Sequence, residues 1–132
     1  MSQINWTEVL GWGDEELGDL RYVAYSYLKQ GIYDIALTFF HAIEVLSPHT
    51  AYDLQTIGAI HLQQGSSLKA LDYFDRALKL DPQHLPTQLN RAKALFMLGY
   101  KQQGLMQAAS LEKQQEDKPI AEQAQALVLS YR

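Results

Sequence analysis

Cysteine is absent from this 132-residue chain. That excludes disulfides and thiolate metal sites, and suits a reducing compartment. No run of Lys and Arg occurs, and the formal charge of -4 argues against nucleic acid, whose phosphates need a basic face. No apolar stretch approaches the roughly 20 residues of a membrane span. The opening Met-Ser-Gln-Ile-Asn-Trp-Thr-Glu lacks the basic and apolar regions of a secretory signal. The expected location is therefore cytoplasmic. Strand signals are nearly missing as well, because every strong periodicity is helical.

Catalytic patterns are equally scarce. His41, His49, His61 and His84 form no i, i+4 pair and no His-Glu-x-x-His, so no metal or other cofactor is expected. Asp72 and Asp75 stand at i, i+3 but read as a solvated helix face. Ser66-Ser67 reads as a helix cap with no base nearby to activate it. The glycines form no phosphate loop. The expectation is a protein that is not an enzyme.

What is present is a repeated phrase. Residues 31–48 and 65–82 align at an offset of 34, matching Gly31 with Gly65, Ala36 with Ala70, Phe40 with Phe74 and Pro48 with Pro82. One further step brings Gly99 under the glycines and Gly104 under the alanines. A fixed period of this length decides the architecture. Hydrophobic content of 47% and charged content of 20% suit a folded chain, and the length suits one domain.

Taken in order, residues 1–13 form a short segment holding Trp6 and Trp12. Two readings stay open there: packing on the first helix as a cap, or contact with a second chain, since tryptophan is a favoured interface anchor. Asp14 is expected to cap a helix whose stripe is Leu17, Leu20, Val23, Ala24, Tyr27 and Leu28, ended by Gly31. A second helix spans about Tyr33 to Leu46 with Ile35, Ala36, Phe39, Phe40, Ile43 and Leu46 inward, stopped by Ser47-Pro48. Thr50, with Asp53 three residues on, opens a third that Gly65 closes. Ser66 or Ser67 caps the fourth, whose stripe runs from Leu71 to Leu80. A fifth runs from about Leu85 to Leu98, a weaker sixth from Lys101 to Gln114, and a seventh starts at Asp117-Lys118-Pro119. Small residues recur at two places, Ala24/Gly58/Ala92 and Ala36/Ala70/Gly104, where helix backbones can approach closely.

This pattern resembles the tetratricopeptide repeat family. The first repeat supplies Leu20, Ala24, Tyr27, Gly31, Ala36, Phe40 and Pro48. The second supplies Leu54, Gly58, Gly65, Ala70, Phe74, Ala77 and Pro82, and a degenerate third keeps Ala92, Leu95 and Gly99. The resemblance implies an all-α fold, an α-solenoid of three repeats with a C-terminal capping helix. Its divisions are 1–13, repeats over 14–116 (about 17–50, 51–84 and 85–116), and 117–132. It also implies a concave binding face. Carried over, that face holds Arg21, Tyr25, Leu28 and Lys29; then Tyr52, Gln55, Ala59, Leu62 and Gln63; then Leu89, Lys93, Phe96 and Met97. Leu28 and Leu62 read equally well as core. The carboxylate clamp of heat-shock-binding members does not fit, because Tyr25 and Ala59 replace its asparagines and Pro86 a lysine.

The run Phe40-His41-Ala42-Ile43-Glu44-Val45-Leu46, with alanine shifted one place, resembles the small chaperones of bacterial type III secretion. That likeness implies a non-catalytic virulence-system chaperone that keeps a secreted helical client, a needle or translocator subunit, unassembled before transport. The short segment before the first repeat fits needle chaperones better, with a small helical co-chaperone as a further partner. Homodimer and heterodimer both stay open. The alternative is a general scaffold joining folded proteins through the same array.

Overall fold

A computed structural model describes residues 4–47 and 50–132. Every element among them is a helix: α1 (Trp6–Leu10), α2 (Asp14–Lys29), α3 (Tyr33–Leu46), α4 (Ala51–Gln63), α5 (Ser67–Leu80), α6 (Leu85–Met97), α7 (Lys101–Lys113) and α8 (Lys118–Tyr131). The proline stop expected at Pro48 lies outside the described residues. Contacts divide the chain into two compact units, Met1–His49 and Thr50–Arg132.

The three helices whose ends fall at the 34-residue period end alike. Gly31, Gly65 and Gly99 have φ of +75°, +81° and +87°, a left-handed conformation that glycine adopts without a Cβ penalty. Beyond each, a residue donates its N–H back across the turn: Ile32 to the Tyr27 carbonyl (3.0 Å), Ser66 to His61 (2.8 Å) and Tyr100 to Leu95 (2.9 Å). This closure satisfies carbonyls that a helix end otherwise leaves bare. The 34-residue offset of the glycines is thus an offset between identical helix stops.

In the first unit α2 packs on α3. Ala24, Ala36, Phe40 and Ile43 are buried there. Ile35, expected in the stripe of α3, is exposed, because that stripe centres on Ala36, Phe40 and Ile43 and leaves Ile35 on its flank. Two local expectations also change at the front of the chain. Asp14 is the first helical residue, and the cap is Gly13, whose N–H donates to Glu16 Oε2 at 2.8 Å. That bond, followed by one from the backbone N–H of Glu16 itself, holds the Glu16 carboxyl below its ordinary range; the small effect of burial opposes it. The second change is α1, a helix missing from the expected order. Asn5 caps it by accepting from the Glu8 N–H at 3.1 Å, and Gly11 closes it with φ of +69°. It meets α3 and not α2, and none of its residues is buried.

In the second unit each helix from α4 to α8 packs on the next, and α4 meets α6 as α6 meets α8. Even-numbered helices therefore form one row and α5 and α7 the other. Thr50 accepts from the Asp53 N–H (3.1 Å) and Asp117 from the Ile120 N–H (3.1 Å), starting α4 and α8. Ser66 precedes α5 without a capping side-chain bond. Leu80, expected in the core, lies exposed in the last turn of α5. Gly58 lets α5 approach so closely that a Cβ there would sit 2.6 Å from Phe74 Cε1.

Candidate functional site

The first unit engages most of its share of the expected face internally. Tyr25 packs edge-on against Phe40, with ring centroids 5.0 Å apart at 86°. An Arg21 Nη2–H donates to Ser47 Oγ at 3.4 Å. Leu28 is half-buried and Lys29 exposed. Nearby, Tyr27 stacks on Phe39 at 5.9 Å. Trp6 is exposed and Trp12 half-buried.

The second unit holds a cleft of about 360 Å³ lined by Leu62, Gln63, Lys93, Met97, Leu127 and Tyr131. These residues come in pairs from the C-terminal halves of α4, α6 and α8. Four belong to the expected face. Leu127 and Tyr131 come from α8, the expected capping helix, and their i, i+4 spacing continues the row. Earlier on the same two helices, Gln55 accepts from Asn90 Nδ2 at 2.8 Å and ties α4 to α6. Ala59 is half-buried and Tyr52 exposed. His61 is buried and stacks on Tyr73 at 5.5 Å.

Leu89 and Phe96 do not belong to the surface. Leu89 is buried with Leu111, Ile120 and Ala124. Phe96 is buried with Ala92 and Ala108, its ring 2.8 Å from where a Cβ on Gly104 would lie. The reason is an exchange within the degenerate repeat. Ala108 occupies the place that Phe40 and Phe74 fill in the earlier copies, and close packing leaves no such space empty. Phe96 turns inward from α6 to fill it. Tyr131 stacks on that ring, with centroids 4.0 Å apart and planes 5° from parallel.

A second cleft of about 400 Å³ lies between α6 and α7, lined by Gln88, Arg91, Gln103, Met106, Gln107 and Ser110. Its cation is engaged: Arg91 Nε–H donates to Asp75 Oδ1 at 2.7 Å and Nη1–H to Gln107 Oε1 at 3.0 Å. Met106 is its one large apolar residue. Among the described residues no group of three His, Asp or Glu side chains is arranged for a metal ion, and no helix is long and apolar enough to cross a membrane.

A family model for the tetratricopeptide repeat matches residues 51–84. The chain carries a tetratricopeptide repeat. Its fold class is the all-helical α-solenoid of such proteins, as the period implies. It is similar to PcrH of Pseudomonas aeruginosa, which in complex with the chaperone binding region of PopD shows a TM-score of 0.80 at 20% identity, covering 92% of this chain and 94% of that one. The translocator chaperone SycD of Yersinia enterocolitica type III secretion matches with a TM-score of 0.78 at 17% identity, covering 98% of each chain. At these identities the likeness is one of fold. Anaphase-promoting complex subunit 3 of Schizosaccharomyces pombe is 31% identical over 86 residues, which are 65% of this chain; the chain spans 13% of that protein's length.

Proposed function

We propose that this protein is a non-catalytic cytoplasmic chaperone that holds a secreted subunit of a type III secretion system unassembled, the client seated on the row α4, α6 and α8. The observation that carries this reading is the mixed cleft along that row, in a fold shared with PcrH, itself seen with the chaperone binding region of PopD. Leu62, Met97 and Leu127 offer apolar contact, while Gln63, Lys93 and Tyr131 offer polar tips. Such a surface covers an amphipathic segment that would otherwise self-associate. Needle and translocator subunits both expose segments of this kind, and the exposed Trp6 of α1 is the proposed contact for a small helical co-chaperone or a second copy.

The test is co-expression with the small open reading frames beside its gene, then mass spectrometry of the purified complex. A small helical secreted client, lost from the complex on Met97→Asp while the circular dichroism of the chain is unchanged, supports the proposal. A folded partner retained by that variant overturns it in favour of a scaffold, the reading that similarity to an anaphase-promoting complex subunit favours.

A further inference from the structure

The cleft on α4, α6 and α8 has one charged group. Lys93 lines it half-buried, and among the described residues no carboxylate lines the cleft with it. Among the described residues Lys93 has no hydrogen bond or ion pair, although the chain as a whole carries a charge of -4. Arg91, two residues earlier, makes the contrast, since its guanidinium is held by Asp75. Met97 follows Lys93 on the same face, four residues on and so about 6 Å along the helix. Leu62, Met97 and Leu127 make the apolar part of the cleft beside that ammonium. A half-buried cation without a partner gains from a carboxylate that arrives with an apolar neighbour, because each desolvates the other's contact.

We infer that the cleft selects client segments carrying an Asp or Glu about 6 Å along the segment from a large apolar anchor, the carboxylate meeting Lys93 and the anchor meeting Leu62, Met97 and Leu127. This rests on the client-holding role proposed above and adds the charge pattern of the client. The spacing corresponds to acid and anchor at i, i+4 in a helix, or two residues apart in an extended segment.

Selection from a random 16-residue peptide library displayed on phage tests it, run in parallel on the full chain and on its Lys93→Gln and Lys93→Glu variants. Peptides captured by the unaltered chain should be enriched in Asp or Glu at that distance from Leu, Ile, Met or Phe. Lys93→Gln should lose the enrichment, and Lys93→Glu should replace it with Lys or Arg. A captured peptide should bind Lys93→Gln about threefold to fivefold more weakly, the size of a partly exposed ion pair. Met97→Asp marks the cleft, and circular dichroism checks that each variant is folded. Peptides that Met97→Asp rejects but whose charge is the same for all three baits overturn the inference and leave the client-holding role standing. Peptides that bind Met97→Asp undiminished overturn both.

Discussion

Replacing Gly58 by alanine sets two effects of opposite sign against each other. In mid-helix, alanine is favoured over glycine by about 1 kcal/mol. Against this, the new methyl would lie 2.6 Å and 2.8 Å from Phe74 Cε1 and Cδ1, and 3.1 Å from Tyr73 Cβ. Phe74 has 0% exposure and packs with Ala70, Ala94, Leu62 and Leu71, so its rigid ring has nowhere to swing. Overpacking of this kind costs about 1–3 kcal/mol, and the sub-3 Å contacts on a fully buried ring put this site in the upper part of that range. The expected net loss is about 1–2 kcal/mol, or a fall in Tm of about 5–15 °C for a unit of this size. Gly104→Ala provides the internal contrast. Its methyl would meet the Phe96 ring at 2.8 Å, but that ring is roofed by Tyr131, which is itself 39% exposed, so it has room to shift outward. Gain and cost then nearly cancel, to within about 0.5 kcal/mol. Thermal unfolding followed by circular dichroism reads both variants, and Phe74→Leu should cost less in the Gly58→Ala background than alone. A Gly58→Ala protein as stable as the parent refutes the close-approach argument.

Tyr131→Ala removes the ring stacked on Phe96 and should destabilise the chain by about 1–2 kcal/mol in urea unfolding; an unchanged midpoint shows that the stack contributes nothing. Glu16 gives a dependence on pH whose sign follows from its depressed carboxyl. A folded-state value below the unfolded one makes the contribution present above the ordinary glutamate range, and lost as pH falls through the folded value. An NMR titration of the Gly13 amide should therefore show its midpoint below that range, with the transition abolished in Glu16→Gln. A midpoint at or above the range refutes the cap bond.

The frame was legible because its signals are local. Three glycine stops at a period of 34 residues, a Thr50 cap and an Asp117 cap each act within one turn of helix. They specify the same structure whatever packs around them, and the helix order from residue 14 onward follows the sequence signals to within a residue or two. The missed α1 had a local signal too, in Asn5, Glu8 and Gly11, but five residues with none buried leave no apolar periodicity to read. Burial was harder, since neighbours decide it. Ile35 and Ala36 are adjacent, and only the packing of α2 on α3 determines which of them the stripe centres on.

The face was read by carrying repeat positions across three copies, and that procedure fails where the copies stop being equivalent. The third repeat has Ala108 in the place of Phe40 and Phe74. Nothing within α7 compensates, because Gly104 is smaller still than the Ala36 and Ala70 it aligns with. The missing volume is made up by Phe96 from α6, which removes an aromatic group from the face at the point where positional transfer expects one. The face does not lose its aromatic edge, however. Tyr131 covers the inward-turned ring and, together with Leu127, supplies the wall that Phe96 vacated. One small residue in α7 therefore shifts a face residue from α6 into the core and brings α8 into the cleft. The C-terminal helix does more than cover the last repeat: with Leu127 and Tyr131 it provides one third of the cleft's lining.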